Sequence, residues 1–457
     1  MVNTLYLPEL REMLAENNAA ELREFSTALH AARTAEFMEG LTPTEAWGVL
    51  AHADPETRAE IFGYFDRDKQ IEIVENSDRA DIAQLIINLP NDDRVDILRD
   101  VNPEIVQDLL PHLPLSDRRD ILRLQSYPEG TAGSVMTTAY ARIPEGYTVR
   151  QALEELGRQA ENIETIYYVF VVDDREHLRG LVTARQLVSA IGKPNTKIDD
   201  IMERDLVTVR ADEDREKVAQ EVARFDLHAI PVVDDDHHMV GIITHDDVID
   251  VLREEASEDV YRMAAMEPLV ENYLEAAFHS IWWKRAFWLS WLFLAEMLTL
   301  FVMKGFVHSI DKVVALAFFV PLCIATGGMS GTQAATLITR AMALGHIQLS
   351  DWLRVIRHEL AIGIALGFSL GAMGFVGAYL ATDHATLGGA AAWKFSLVIA
   401  QAVMAICLWG TLVGSMLPLA FRRFGVDPAY ASSPFVATFV DVTGILILFS
   451  LAEIYLF

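Results

Sequence analysis

Five long apolar segments dominate the C-terminal part of the sequence. Each is close to or longer than the roughly 20 residues that an α-helix needs to cross ~30 Å of hydrocarbon. Because every backbone polar group must be satisfied inside a bilayer, such segments predict transmembrane helices and exclude a purely soluble fold. The segments lie at about 285–303, 313–338, 359–381, 395–421 and 433–455.

Charge is distributed very unevenly along the 457-residue chain. The net charge is −28, to which residues 1–275 contribute −30 and residues 276–457 contribute +2. An acidic region of this size attracts cations and repels nucleic acid, so we expect no nucleic-acid partner. The two cysteines, Cys323 and Cys407, lie inside apolar segments, which predicts buried side chains and no disulfide framework.

Basic residues flank the five segments mainly on one side. An odd number of spans puts the two ends of the chain on opposite sides of the membrane. The positive-inside rule therefore predicts a multi-pass protein of the cell inner (plasma) membrane with a cytoplasmic N-terminus. The basic side carries Lys284, Arg285, Arg340, Arg354, Arg357, Arg422 and Arg423, whereas the other side carries Lys304, Lys312 and Lys394.

The acidic part of the chain contains two kinds of repeat. A short signature recurs as TRAEI (57–61), DRADI (78–82), DRVDI (93–97) and DRRDI (117–121), which predicts a superhelical array of short helices over 1–126. A longer repeat over 127–256 has the order β-α-β-β-α, with VFVVDDREHLRGLVT (169–183) and IPVVDDDHHMVGIIT (230–244) in corresponding positions. This second repeat resembles the tandem CBS regulatory module, which commonly senses adenine nucleotides or ions.

These patterns predict a multidomain α-helical membrane protein. We expect a cytoplasmic helical-repeat domain over 1–126, a tandem CBS (α/β) domain over 127–256, a connecting (plug) helix over 257–283 and a five-helix transmembrane domain over 284–457. The sequence contains no GxxxxGK[ST], HExxH or GxSxG motif, so we expect neither an ATP motor nor an enzyme.

Asp441 is the carboxylate most deeply placed in an apolar segment. It lies about nine residues into the fifth span, or ~14 Å at 1.5 Å per residue, close to the middle of the bilayer. Glu296 in the first span is the rival intramembrane carboxylate. Because a carboxylate in a span is costly, it marks an ion pathway more often than a structural site. No Lys or Arg occupies the middle of a span, so the pattern favours cations and disfavours an anion channel.

Four motifs together resemble the MgtE family of magnesium channels. They are YPEGTAGSVMT (127–137), the tandem CBS repeats, GGMSGTQAATLITRA (327–341) and DPAYASSPFVATFVDVTG (427–444). The resemblance implies a homodimer in the lipid membrane, with the pore on the two-fold axis between the second and fifth spans. It places Asp441 as the pore aspartate, with Ser433 and Ala437 lining the pore. The second-span motif departs from the usual GGNxGNQ, because Met329 and Thr332 replace both asparagines.

The chemistry of Mg²⁺ agrees with this resemblance. Mg²⁺ demands octahedral oxygen ligands and gives up water reluctantly, so proteins often hold it through one or two carboxylates and its own waters. The segment HDDVIDVLREEASEDVY (245–261) also concentrates carboxylates along one side of a helix. By the resemblance, the Mg²⁺-sensing positions are Asp93, Asp96, Asp214, Asp226, Asp246, Asp247, Asp250, Glu254, Glu255, Glu258, Asp259 and Asp427.

A nucleotide site is predicted in the second CBS repeat. Gly241 and Thr244 in GIITHDD stand at the spacing that CBS modules use for ribose and phosphates, whereas the first repeat has Gln186 where the acid would be. ATP is therefore a candidate regulatory ligand. The leading hypothesis is a magnesium-selective channel for Mg²⁺ uptake, with Mg²⁺ as both substrate and intracellular regulator. The alternative is a secondary transporter that exchanges divalent cations for protons or sodium.

Overall fold

The structure is a computed structural model that describes residues 5–160, 163–269, 273, 276–382 and 384–457. The chain divides into two compact units, Met1–Arg253 and Glu254–Phe457.

Ten short helices form the first half of the Met1–Arg253 unit. Each of the four repeated signatures lies on one of them or begins at its N-cap, and the isoleucine that ends a signature is buried, as at Ile61, Ile82 and Ile97. The helices are α1 Leu7–Ala15, α2 Ala19–Ala28, α3 Ala31–Met38, α4 Pro43–Leu50, α5 Pro55–Gly63, α6 Arg67–Asn76, α7 Arg79–Asn88, α8 Asn91–Asp100, α9 Pro103–Leu109 and α10 Leu115–Gln125.

The repeated arginine has a structural role in this array. The last carbonyls of a helix have no partner within it. Arg58 donates to the carbonyls of Leu50, Ala51 and Ala53 at the end of α4, with distances of 2.9 to 3.1 Å. The Arg94 side chain donates in the same way to the carbonyl oxygens at the end of α7. The signature thus joins the start of one helix to the end of the preceding one.

Two pseudo-equivalent α/β modules complete this unit, in the predicted order β-α-β-β-α. Each has a three-stranded sheet in which the first two strands are parallel and the last two antiparallel, in the orders β1-β2-β3 and β4-β5-β6. The first module contains β1 Tyr140–Pro144, α11 Val149–Gln159, β2 Thr165–Val172, β3 Leu178–Thr183 and α12 Ala184–Ser189. The second contains β4 Val209–Arg210, α13 Arg215–Phe225, β5 Ala229–Val233, β6 Met239–Thr244 and the start of α14 His245–Met263.

The two modules exchange equivalent contacts. A Cβ at Gly180 would lie 2.6 Å from Met202 Sδ, and a Cβ at Gly241 would lie 2.8 Å from Met136 Sδ. Each glycine is therefore required so that the other module can approach closely. His177 and His238 hold corresponding positions in the two modules. Their rings stack on each other with centroids 4.5 Å apart.

Five helices of the second unit are long and apolar enough to cross a membrane. Their polar backbone groups are satisfied within each helix, as a bilayer requires. The helix α16, Val307–Lys312, lies between the first two. The five helices are α15 Phe278–Gly305, α17 Ala315–Ala343, α18 Trp352–Ala381, α19 Ala392–Arg423 and α20 Ser433–Leu456.

Glycines in α17 and α19 do not interrupt these helices. A Cβ at Gly410 would lie 2.4 Å from the Gly327 carbonyl oxygen, and a Cβ at Gly414 would lie 2.0 Å from that of Gly331. Since any larger residue would clash with backbone, these positions let two membrane helices pack unusually closely.

The segment predicted as a connecting helix over 257–283 is helical only at its ends. Helix α14 ends at Met263 and α15 begins at Phe278. Residues 264–269 between them are not helical, and residues 270–272 and 274–275 lie outside the described part. The non-helical residues include Pro268, which lacks the backbone N–H that a helix interior needs.

Candidate cation sites

Asp441 lies near the middle of α20 on the face that meets α17. A Cβ at Gly328 would lie 3.5 Å from Asp441 Oδ1 and 3.5 Å from Ala437 Cβ, so α17 presents bare backbone to this carboxylate. Asp441 forms no hydrogen bond or ion pair with another described residue. Its carboxylate therefore remains available to a ligand.

Ser433 and Ala437 lie two turns and one turn before Asp441 on the same face of α20, as the spacing of four residues requires. Thr332 Oγ1 donates to the Ser433 carbonyl oxygen at 3.4 Å, across the contact of α17 with α20. One of the two positions that depart from the family motif thus supports a residue of the candidate pore. The other, Met329, is 62% exposed and contributes no such contact.

Three carboxylates meet in the Met1–Arg253 unit, one from the helical-repeat region and two from the tandem CBS region. Asp92 comes from α8, Glu164 precedes β2, and Asp247 lies in the first turn of α14. Carboxylate oxygens of all three lie within 4.8 Å of one another. Asp92 is 8% exposed, and its Oδ1 is buried without a hydrogen-bond partner. We refer to these residues as the acidic triad.

Electrostatics disfavour full ionisation of the acidic triad when no cation is bound. Burial, followed by the charge of Asp247, raises the pKa of Asp92 well above its usual range. Burial raises the pKa of Asp247 to about 6, although Thr244 donates to its carboxylate. The Glu164 side chain keeps contact with solvent, but reduced hydration, followed by the charges of Asp247 and Asp246, raises its pKa to about 7. Since like charges this close repel, a proton or a divalent cation is needed to hold them together.

Asp93, Asp246 and Asp250 form a second acidic group beside the triad. Burial raises the pKa of Asp93; the charges of Asp246 and Asp250 act in the same direction, and Arg67 opposes them. Asp250 also lies 3.7 Å from Arg253. Asp96, the other predicted residue of α8, is 3.7 Å from Arg99.

Asp214 and Asp226 are not brought together. Asp214 caps the start of α13, where its Oδ1 accepts from the Glu216 N–H at 2.9 Å. Asp226 caps the other end of this 11-residue helix with a φ of 52°. At 1.5 Å per residue they are separated by roughly 18 Å, so one ion cannot bind both residues of one chain.

Glu258, Asp259 and Asp427 surround Arg262 in the second unit. Arg262 forms ion pairs with Glu258 and Asp427, and its guanidinium lies 5.2 Å from the centre of the Tyr430 ring. Burial, followed by the charges of Asp427 and Glu255, raises the pKa of Asp259 to about 6. Glu254 lies on the same helix, α14, with its side chain exposed. An arginine thus already occupies the centre of this group.

The two predicted nucleotide residues are both engaged in packing. Gly241 contacts Met136 and Thr137, as described above. Thr244 is buried, and its hydroxyl donates to Asp247 Oδ2 at 2.5 Å. In the first module, Thr183 makes the corresponding contact with Gln186 at 2.9 Å.

Known families match most of the chain. The MgtE intracellular N domain matches residues 29–130, the CBS domain matches 132–193 and 198–254, and a family described as a divalent cation transporter matches 320–451. The magnesium transporter MgtE of Thermus thermophilus is 36% identical over 98% of this chain and 95% of its own length. The chain belongs to the MgtE family of magnesium transporters.

Solved structures agree with this MgtE assignment over about half of the chain. The soluble part of a magnesium transporter is 31% identical, with a TM-score of 0.51. The match covers 55% of this chain and 97% of the length of that structure. The cytosolic domain of the Mg²⁺ channel MgtE in complex with ATP is 33% identical, with a TM-score of 0.50. That match covers 53% of this chain and 98% of the length of that structure. The predicted fold class is confirmed. MgtE proteins are transporters, which also confirms the prediction that this chain is not an enzyme.

Sequence reasoning missed Asp92, Glu164 and Arg262 in this MgtE chain. Asp92 could have been found, because it lies four residues before Asp96 and therefore shares its face of α8. Glu164 has no such signal, since its position depends on how the first CBS sheet meets α8. Arg262 has no such signal either, because in the sequence it is one basic residue beside a run of acidic residues that indicates cation binding.

Proposed function

We propose that the chain is a homodimeric Mg²⁺ channel of the inner membrane, with a cytoplasmic N-terminus. The ion passes between α17 and α20, where Asp441 holds it by its hydration shell. One observation carries this proposal: an unpaired carboxylate in the middle of an apolar helix faces the bare backbone of Gly328. A carboxylate in that position is costly unless an ion uses it.

The oxygen chemistry of this path suits Mg²⁺. A carboxylate from each of two chains would meet on the dimer axis, and Mg²⁺ is often bound through one or two carboxylates with its waters retained. Ser433 and Ala437 widen the path towards the start of α20, because both side chains are small. The related cytosolic domain of the Mg²⁺ channel MgtE supports a channel.

Intracellular Mg²⁺ closes the channel in this proposal. At the acidic triad, a Mg²⁺ ion replaces the repulsion of three carboxylates by attraction, and so draws α8, the first CBS module and α14 together. A ligand can shift an equilibrium only by its differential affinity for the two states. To move the equilibrium from mostly open to mostly closed takes ~5.5 kcal/mol, which about four sites could supply if each contributed ~1.4 kcal/mol. The triad is therefore expected to act together with other carboxylates.

The remaining regulatory positions follow from this mechanism. Several carboxylates meet at the Asp93 group, which makes it a second Mg²⁺ site, whereas Mg²⁺ at the group around Asp427 would compete with Arg262. Asp214 and Asp226 act at separate sites. ATP is a further regulatory ligand, supported by the ATP complex of the related cytosolic domain, with Gly241 and Thr244 as its tentative contacts.

Current recording in planar bilayers tests the channel mechanism. With the full-length protein and a Mg²⁺ gradient as the only gradient, a channel carries a passive current that reverses at the Mg²⁺ equilibrium potential. Transport that strictly requires an opposing proton or sodium gradient would contradict the proposal and support exchange. Adding Mg²⁺ to the cytoplasmic side then tests closure separately.

A further inference from the structure

Glu296 is a second intramembrane carboxylate that the proposed path does not use. It lies nine residues before the end of α15, or ~14 Å from that end, at the depth of the middle of a bilayer. Its carboxylate has no hydrogen-bond or ion-pair partner among the described residues. The adjacent Thr299 hydroxyl donates to the Glu296 backbone carbonyl at 2.6 Å instead.

The position of Glu296 in the membrane is energetically costly. On insertion scales an acidic residue in the centre of a span costs ~2.5–3.5 kcal/mol, and an apolar residue would avoid that cost. Most neighbours of Glu296 on α15 are apolar, including Phe293, Leu294 and Met297. Packing of the helix therefore gives no reason for a glutamate.

Glu296 faces α20 close to Asp441. It lines a groove of about 740 Å³ together with Ser290 of α15 and with Pro434 and Thr438 of α20. Thr438 lies one turn before Asp441 on α20. The Glu296 and Asp441 carboxylates are near enough to interact electrostatically. A hydrated ion fits the space, because each water occupies roughly 30 Å³.

We propose that Glu296 determines the specificity of transport, by adding a second negative charge to the cation that Asp441 holds. This inference rests on the proposed role of Asp441. One carboxylate attracts any cation, but each added negative charge attracts a divalent ion twice as strongly as a monovalent ion at the same distance. Glu296 thereby favours Mg²⁺ over K⁺ and Na⁺, and acts through the hydration shell of the ion.

The test compares Glu296→Gln and Glu296→Asp in the full-length protein in proteoliposomes. We expect Glu296→Gln to raise the half-saturating Mg²⁺ concentration roughly three- to tenfold, with maximal flux within about twofold of wild type. The ratio of Mg²⁺ to K⁺ permeability, taken from reversal potentials, should fall. Glu296→Asp keeps the charge and should remain close to wild type in both measurements.

Glu453→Gln is the matched control, because it removes a carboxylate near the other end of α20, where Glu453 Oε1 accepts from the Ser309 hydroxyl at 3.2 Å. We expect no change in selectivity. An unchanged Mg²⁺ dependence in Glu296→Gln, or a loss of maximal flux alone, would overturn the inference. If Glu296→Gln assembles poorly, Thr438→Val, which alters the same groove, should also shift the Mg²⁺ dependence; if it does not, the inference fails.

Asp441→Asn separates this inference from the proposed function. If it abolishes flux while Glu296→Gln shifts only the Mg²⁺ dependence, both ideas stand. If it abolishes flux and Glu296→Gln changes nothing, the pore assignment stands and the inference fails. If Asp441→Asn conducts normally, the proposed function fails, and the action of Glu296 through Asp441 fails with it.

Discussion

Both units contain carboxylates that could bind a cation, but the arrangement of these carboxylates differs. Asp441 belongs to one helix and faces glycine backbone, so an ion there meets a surface that is already in place. Asp92, Glu164 and Asp247 come from three separate segments and repel one another. On the proposed function, a cation at the acidic triad would change the distances between structural elements, whereas a cation at Asp441 would occupy a site without moving them. The arrangement of the acidic triad suits regulation, and that of Asp441 suits transport.

The largest expected effect tests the transport side of this comparison. Asp441→Ala should reduce Mg²⁺ flux into proteoliposomes at least about tenfold, because the only carboxylate on this face of α20 is lost. The protein should still insert and assemble, since removing a costly charge need not destabilise the helix. Mg²⁺-sensitive dye measures the flux and size-exclusion chromatography the assembly. Wild-type flux would refute the pore assignment.

Neutralising the acidic triad tests the regulatory side. The variant Asp92→Asn, Glu164→Gln, Asp247→Asn removes both the repulsion and the Mg²⁺ ligands. We expect Mg²⁺ to protect the Met1–Arg253 unit of this variant from protease clearly less than it protects the wild-type unit at the same pH, because only the other carboxylate sites remain. Neutralising the exposed residues Asp68, Asp81 and Asp108 is the control for net charge and should keep the Mg²⁺ dependence. Mg²⁺-dependent protection equal to that of the wild type in the triad variant would exclude the triad as a sensor.

Arg262 allows a smaller and more specific test. Its guanidinium bridges Glu258 and Asp427 without any metal, so it should favour the closed state when Mg²⁺ is scarce. A partly buried ion pair of this kind contributes about 1 kcal/mol, or roughly a fivefold change in an equilibrium. Arg262→Gln should therefore raise the current at low cytoplasmic Mg²⁺ by about two- to fivefold. Arg253→Gln, on the exposed side of α14, should leave that current unchanged, and equal currents in the two variants would argue against this role.

Acidification should imitate Mg²⁺ weakly at the triad. The pKa values of Glu164 and Asp247 are raised to about 7 and about 6, above those of the unfolded chain. Protonation therefore favours the compact state, and this contribution is lost as the pH rises through 6 to 7. Without Mg²⁺, the Met1–Arg253 unit should be more resistant to protease at pH 5.5 than at pH 7.5. A resistance that rises with pH, or an equal pH dependence in the triad variant, would contradict this explanation.

The sequence alone determined the class of the protein and the order of its parts. Five apolar segments, the repeated arginine signature and the tandem β-α-β-β-α pattern are local, because each depends on hydrophobic period and turn residues within one element. The structure has helices or strands at each of these places. Asp441 was also a local prediction, since a carboxylate inside an apolar segment is unusual wherever that segment packs.

Only the tertiary structure decided which charged residues meet. Asp92 and Asp247 are far apart in the chain, and the approach of α8 to the start of α14 is fixed by packing between domains, which leaves no period in the sequence. For the same reason the sequence named Asp214 and Asp226 as sensing positions without showing that α13 holds them at its opposite ends. Arg262 appeared as one residue of an acidic helix, yet the position of Asp427 makes it the centre of an ion-pair group. Electrostatic energy depends on the distance between charges in space. The local sequence pattern of one helix or strand does not contain that distance when the charges belong to different elements.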